Sequence, residues 1–229
     1  MGGIFDKLCS IPLEKRIVIV ETYKESYEFI RESIIEITDV LKVESSYIGY
    51  NEKGEEVSQI SHYDDETKTI YMDETKCDEE YTKTFIHEIG HYIDNYKGDV
   101  SVSENFEQAI LADKEWYLDS NAYGIENMNA MLLDMKNSSV IEDRYVSDIL
   151  SAFFNNDNRI EDMYYQENLP YYMHENKYWD GTEGPHKAVN KEIFAELFAI
   201  YSENKKDIVS FVERYFPNIT GRFKLEMES

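Results

Sequence analysis

Cysteine, proline and positive charge are all scarce in this chain, and each shortage removes a class of protein. There are two cysteines and four prolines in 229 residues. Cys9 and Cys77 stand far apart and neither belongs to a C-x-x-C pair, which leaves no disulfide framework and no cysteine-built zinc site. No Pro/Gly/Ser-rich linker and no internal repeat interrupts the sequence, so a single domain over residues 1–229 is expected. Long apolar runs are missing too. The longest near the N-terminus, Ile17-Val18-Ile19-Val20, is ended by Glu21 and is too short for a signal peptide or a membrane span. Met1-Gly2-Gly3 opens like a myristoylation signal, but Asp6 stands where that signal needs Ser or Thr. A cytoplasmic protein is therefore expected, with lysis or specialised secretion as the routes left open. Lys plus Arg number 23 against 47 Asp plus Glu, a formal charge of −24. Such a field repels phosphate, so neither nucleic acid nor an anionic membrane is an expected partner.

What remains is a chain that should fold: 42% of residues are hydrophobic and 14% aromatic, too many for a disordered protein. Residues 16–20 read as a buried strand. Residues 21–41 read as an amphipathic helix, with Tyr23, Tyr27, Ile30, Ile34, Ile37 and Leu41 on one face. Three stretches rich in β-formers, 46–50, 57–62 and 68–72, are separated by the turn-like Asn51-Glu52-Lys53-Gly54 and Asp64-Asp65-Glu66, which predicts a small antiparallel meander. A helix follows from Asp78, a good N-cap, to about Tyr96, and stops at Gly98. Further helices are expected at 103–121 and at 139–154, the latter with Ser139 and Glu142 as a capping box. A tyrosine-rich loop at 155–186 leads to a helix at 187–202 and a last one at 206–216, which Pro217 ends. Strands first and helices later argue an α+β class. Three parts result: a sheet and helix part at 1–98, a helical and Tyr-rich insertion at 99–186, and a closing helical part at 187–229.

One motif carries chemistry: His87-Glu88-Ile89-Gly90-His91, an H-E-x-x-H inside the predicted helix. At ~100° per residue the two imidazoles lie on one face a turn apart, the spacing that suits zinc, while Phe85, Ile86, Ile89 and Ile93 fall on the opposite side. Gly90 costs about 1 kcal/mol relative to Ala in mid-helix, a sacrifice that makes sense if something approaches the backbone closely there. An open catalytic site wants a third protein ligand, and the best candidate is Glu192 in Lys191-Glu192-Ile193-Phe194-Ala195-Glu196. Glu192 and Glu196 share a helix face, so one could ligate the metal while the other holds a histidine.

The run from Phe85 to Gly98, together with Glu192-Ile193-Phe194-Ala195-Glu196-Leu197-Phe198, resembles the catalytic domain of anthrax lethal factor and its relatives. These are gluzincin metallopeptidases that include the Pro-Pro endopeptidases and domains of phage-borne proteins. The resemblance also covers the strand at 68–72 and the closing helix near 211–216. It implies a zincin-like fold, Zn²⁺ held by His87, His91 and Glu192, Glu88 as general base, and Asp94 and Glu196 as supports of the histidines. The family places a tyrosine seven residues before the ligand glutamate to stabilise the oxyanion. That position here is Pro185, so Tyr178 on a longer loop is the preferred substitute and His186, as a cation, the other.

The function expected from these residues is zinc endopeptidase activity. Zinc lowers the pKa of its bound water to about 7, Glu88 takes the proton and later passes it to the leaving amine, and Tyr178 helps hold the oxyanion. The strand at 68–72 is expected to bind an extended peptide along its edge. Between Asp99 and His186 there are 18 acidic residues against 5 basic ones, and Tyr164, Tyr165, Tyr171, Tyr172, Tyr178 and Trp179 lie in the same stretch. Substrates combining a basic residue with a bulky apolar residue or proline are therefore expected, cut by a monomeric enzyme. Two other readings are a catalytically silent zincin-fold protein serving in binding or phage morphogenesis, and an intracellular regulatory protease with one protein substrate. Intact Glu88 argues against the silent form, because a binding module needs no base beside its metal.

Overall fold

The H-E-x-x-H segment lies on a 19-residue helix, Asp78–Tyr96, and the rest of the architecture follows from what that helix packs against. The computed structural model describes residues 20, 23–24, 26–37, 40–46, 48–50, 56–58, 61–73, 78–118, 122–138, 140, 143–154 and 185–229. In chain order these form helix α1 (Glu28–Ile37), strands β1 (Lys42–Ser45), β2 (Ile48–Tyr50), β3 (Glu56–Ser58), β4 (His62–Asp64) and β5 (Thr69–Met72), then α2 (Asp78–Tyr96). A 3₁₀ turn (Val100–Val102) leads to α3 (Glu104–Leu118), α4 (Ala122–Lys136), α5 (Arg144–Phe153), α6 (Pro185–Glu203), α7 (Lys206–Tyr215) and α8 (Pro217–Glu228). The chain is mostly helical with a small three-stranded sheet, compatible with the α+β class. Among the described residues no helix is long and apolar enough to cross a membrane.

The strands are not a simple meander. The sheet order is β1-β5-β4, with β1 parallel to β5 (Val43 opposite Ile70) and β4 antiparallel to it (Tyr63 opposite Ile70). β2 and β3 pair separately as an antiparallel ladder. The helix expected to reach Leu41 stops at Ile37, because residues 42–45 are drawn into the parallel pairing that buries Val43 beside Ile70. Of the strand expected at 16–20, residues 16–19 lie outside the described residues and Val20 is helical. The turn between β4 and β5 forms as read: the Asp64 carboxylate accepts from the amides of Glu66 (2.8 Å) and Thr67 (2.9 Å).

α2 ends in a Schellman motif. Gly98 takes φ +91°, its amide donates to the Asn95 carbonyl (3.0 Å), and the amide of Asp99 donates to the Asp94 carbonyl (2.8 Å). Four helical expectations are corrected farther on. The helix expected at 103–121 closes at Leu118, and α4 is an additional helix after it. The capping box of Ser139 and Glu142 is not the start of α5: Asp143 caps it, accepting from the Val146 amide (3.2 Å), while Ser139 and Glu142 lie outside the described residues. α6 begins at Pro185, within the expected loop, of which residues 155–184 lie outside the described residues. Pro217 does not close the last helix but opens α8 at its first turn, where a missing N–H is harmless. The Asp113 carboxylate completes that start by accepting from the amides of Asn218 (3.1 Å) and Ile219 (2.8 Å).

The core is centred on α6, in which Ile193, Phe194, Ala195, Leu197, Phe198, Ala199, Ile200 and Tyr201 are all buried. A helix apolar on nearly every side is an interior helix. It lies between α2 and α5, and edge-to-face rings tie it to its other neighbours, Phe194 to Phe223 on α8 (5.0 Å) and Tyr201 to Phe29 on α1 (5.5 Å).

Candidate metal centre

Gly90 sets the geometry of the site. A Cβ built on it would stand 2.7 Å from the Ala195 Cα, 3.0 Å from the Ala195 carbonyl oxygen and 3.1 Å from the Phe198 Cβ. The backbones of α2 and α6 therefore meet at this point, which is the close approach that a glycine in mid-helix implied. Phe85, Ile86, Ile89 and Ile93 are buried on the core side of α2. His87 and His91 occupy another face, one turn apart, and the crossing brings Glu192 opposite both.

The His87 and His91 Nε2 atoms are 3.1 Å apart. Glu192 faces them with its two carboxylate oxygens, Oε2 at 3.4 Å from His87 Nε2 and Oε1 at 3.5 Å from His91 Nε2. All three side chains are partly open to water. With metal–ligand bonds of about 2.0–2.1 Å, the edges of a coordination tetrahedron are about 3.3 Å long. Each of these three separations is close to that length, the two to Glu192 ending on different oxygens, and one donor atom from each residue lies within 4.8 Å of the others; two nitrogens and one oxygen are a donor set that suits a borderline divalent cation. His87, His91 and Glu192 could therefore hold a metal ion.

Glu196, one turn beyond Glu192, lies 2.9 Å from His87 Nδ1 through its Oε1. An imidazole that donates from Nδ1 presents its lone pair at Nε2, toward the other two ligand atoms. The electrostatics follow from this packing. Burial alone would lower the pKa of His87, but the Glu196 and Glu192 carboxylates outweigh it and hold it well above the ordinary range. His91 is likewise raised, mainly by Glu192 against the pull of burial. Glu192 goes the other way: burial raises it, yet the two imidazoles bring it well below the usual carboxylate range. Positive charge between these three groups is strongly favoured, whether a proton or a cation supplies it.

Glu88 does not join the triad. It is buried, and its Oε2 accepts from the backbone amide of Tyr63 on β4 at 2.8 Å. Burial raises its pKa, opposed by the nearby imidazoles. Tyr63 is anchored in turn, its ring against Tyr92 (5.3 Å) and its hydroxyl donating to Asn95 (3.1 Å). Among the described residues β4 is an edge strand, and its outward amide reaches the Glu88 carboxylate, whereas β5, the strand at 68–72 expected to receive a peptide, is paired on both sides and has no free edge. At the rim, Lys191 bridges Asp65 (2.9 Å) and Asp99 (3.7 Å).

The remaining candidates are placed as follows. Asp94 is fully buried, but its carboxylate is engaged by Ser101, accepting from the amide (2.8 Å) and the hydroxyl (2.5 Å). His186 lies in the first turn of α6, six residues before Glu192. Tyr178 lies outside the described residues. Two groups that sequence reasoning passed over belong to the surroundings: the Tyr63 amide, which no side-chain motif could reveal, and Asp148, a buried acid on α5 whose charge interacts with Glu196, His87 and Glu192. Its carboxyl is pushed up to about 8, first by burial and then by Glu196.

Comparison with known proteins adds no relative: no protein-family model, no curated protein and no solved structure matches the chain.

Proposed function

We propose that this chain is a zinc-dependent endopeptidase of the gluzincin type on a zincin-like fold, as its resemblance to the lethal factor catalytic domain implies. One observation carries the reading. Beside a His-His-Glu group whose donor atoms lie within 4.8 Å of one another stands a buried carboxylate, Glu88, that is not a member of it and is oriented by a backbone amide at a sheet edge. A site that only stored or sensed a metal would have no use for such a base.

His87, His91 and Glu192 would hold the zinc, which would supply Lewis-acid chemistry and a water acidified to a pKa of about 7. Glu88 is the base that would accept the proton of the attacking water and return it to the leaving amine. Its buried setting favours the protonated state it holds between those two steps. The Tyr63 amide keeps the carboxylate from swinging away, and Glu196 holds His87 in the tautomer that leaves Nε2 free. An extended peptide would lie along the outer side of β4, next to the Tyr63 amide that Glu88 already occupies. Tyr178 is assigned the oxyanion-stabilising hydroxyl, with His186 as the substitute. Half-exposed Asp65 and Asp99 at the rim, with the acidic stretch at 99–186, favour peptides that combine a basic residue with an apolar residue or proline.

The test is incubation of the purified protein with a diverse peptide library, with and without a chelator and with zinc restored afterwards. Cleavage that the chelator abolishes and zinc restores is expected. Intact peptides in the presence of stoichiometric zinc, or cleavage indifferent to the chelator, would contradict the reading.

A further inference from the structure

Tyr63 on β4 meets α2 at three successive levels. Its backbone amide donates to Glu88 Oε2 (2.8 Å), its ring lies 5.3 Å from that of buried Tyr92, and its hydroxyl donates to Asn95 Oδ1 (3.1 Å). Glu88, Tyr92 and Asn95 follow the i, i+4, i+7 spacing of one helix face, so these contacts are spread over about 10 Å of helix. One strand residue thus spans two turns of the helix that carries the proposed base. A hydrogen bond weakens steeply as it bends, so the Tyr63 amide orients the Glu88 carboxylate only as well as β4 itself is held. The hydroxyl, two turns away, is what stops the strand from sliding along α2.

Asn95 is engaged from every side. Its Oδ1 also accepts from Lys68 Nζ (2.5 Å), beyond the β4–β5 turn, and its Nδ2 donates to Asp99 Oδ1 (3.2 Å), just past the end of α2. Lysine only donates and a carboxylate only accepts, so these neighbours fix which way the side-chain amide faces. Both flanks of the turn, Tyr63 before it and Lys68 after it, converge on one oxygen. Lys191 Nζ, 3.7 Å from the same Asp99 oxygen, joins the network from α6 beside Glu192.

We propose that Asn95 is a positioning residue for Glu88: through the Tyr63 hydroxyl it clasps β4 to α2 and keeps the Tyr63 amide where it fixes the direction of the carboxylate. The functional meaning rests on the endopeptidase reading, but the bonds of the clasp exist with or without zinc. They are partly open to water, so breaking them changes the alignment of Glu88 without dismantling the fold. The zinc ligands take no part in the clasp, and metal affinity should not follow it.

The test follows hydrogen exchange of the residue 63 amide by NMR in the zinc-free wild type, Tyr63→Phe, Asn95→Leu, Asn95→Asp and the Tyr63→Phe/Asn95→Leu double variant. Glu88→Ala serves as the reference for an amide that has lost its acceptor, and the amides of the β4–β5 ladder report general loosening. Zinc dissociation constants, and kcat and KM for a cleaved peptide, are measured alongside. Tyr63→Phe and Asn95→Leu should each speed exchange at residue 63 and lower kcat by about three- to tenfold, with KM, zinc affinity and the ladder amides within about twofold of the wild type. Asn95→Asp, which keeps the accepting oxygen beside Lys68, should stay within about twofold of the wild type throughout, and the double variant should match Asn95→Leu. If Asn95→Leu fails to fold, Tyr63→Phe carries the comparison, since it removes one oxygen and keeps the ring and the amide. Unchanged exchange at residue 63, equal acceleration along the whole ladder, effects that add in the double variant, or a change in KM with kcat intact would overturn the proposal. Should the wild type cleave no peptide, the endopeptidase reading falls, and exchange at residue 63 alone then decides whether Asn95 holds the Glu88 contact in place.

Discussion

Behind the triad, Glu196, Asp148 and the Gly90 crossing are sealed into the packing of α2, α5 and α6. In front of it, Tyr63, Asn95, Lys191, Asp65 and Asp99 form a polar rim that water reaches. The same kinds of group, carboxylates with hydrogen bonds and ion pairs, occur on both sides. Their energetic weight differs because an interaction is strong where solvent is excluded and weak where solvent screens it. The back therefore fixes the ligands, and the front is soft enough to accept a peptide. Mutations on the two sides should separate accordingly.

The largest difference should come from pH in the zinc-free protein. Asp148 has a folded-state pKa of about 8, raised from the ordinary carboxylate value. Its proton therefore stabilises the fold most below about pH 4, and this contribution is lost as pH rises toward 8, at up to about 1.4 kcal/mol per pH unit. Urea unfolding at stepped pH should show the wild type declining more steeply over that window than Asp148→Asn. Parallel profiles would place Asp148 in ordinary surroundings. Glu192, with its lowered pKa, acts oppositely, and its contribution is lost as pH falls through its folded pKa.

Next in size is Gly90→Ala. Helix propensity alone would stabilise it by about 1 kcal/mol, but the added Cβ meets the backbone of Ala195 at 2.7 Å. A net loss of about 1–3 kcal/mol and weaker zinc binding are expected from unfolding and competition titrations. A stabilised variant would show that α2 and α6 do not meet as described. Glu196→Ala should fold nearly normally and bind zinc about 10–100-fold more weakly. The smallest effect belongs to the front: Lys191→Met removes a rim ion pair and should change stability by less than about 1 kcal/mol with zinc affinity intact. A large zinc effect from Lys191→Met would erase the distinction between front and back.

The two sides also differ in how far the sequence displays them. His87 and His91 stand four residues apart on one helix, a local relation that periodicity reveals, and Gly90 announced a close approach before its partner was known. Glu192 was within reach because Glu192 and Glu196 share a face with Ala195 and Ala199 between and beyond them. Asp148 has no such signature, since an acid on an amphipathic helix looks the same whether it faces water or another carboxylate. Asp94 enters through the resemblance, and what the sequence does not display is that the return of the chain at Gly98 sets Ser101 against its carboxylate. β1 escaped notice because Lys42–Ser45 holds one apolar residue, Val43, and depends on long-range parallel pairing with β5. The same pairing turned the expected edge at 68–72 into the middle of the sheet. α4, by contrast, did carry a signal, the helical spacing of its buried Met128, Met131, Leu132 and Met135.

Turnover per bound zinc, compared between the wild type and Glu88→Gln, tests the central claim most directly. Both proteins should carry one zinc per chain at His87, His91 and Glu192, and the variant should turn over roughly 10²–10⁴-fold more slowly, the range for a lost general base. A Glu88→Gln protein that cleaves at the wild-type rate per zinc, or a wild type that cleaves without zinc, would contradict it.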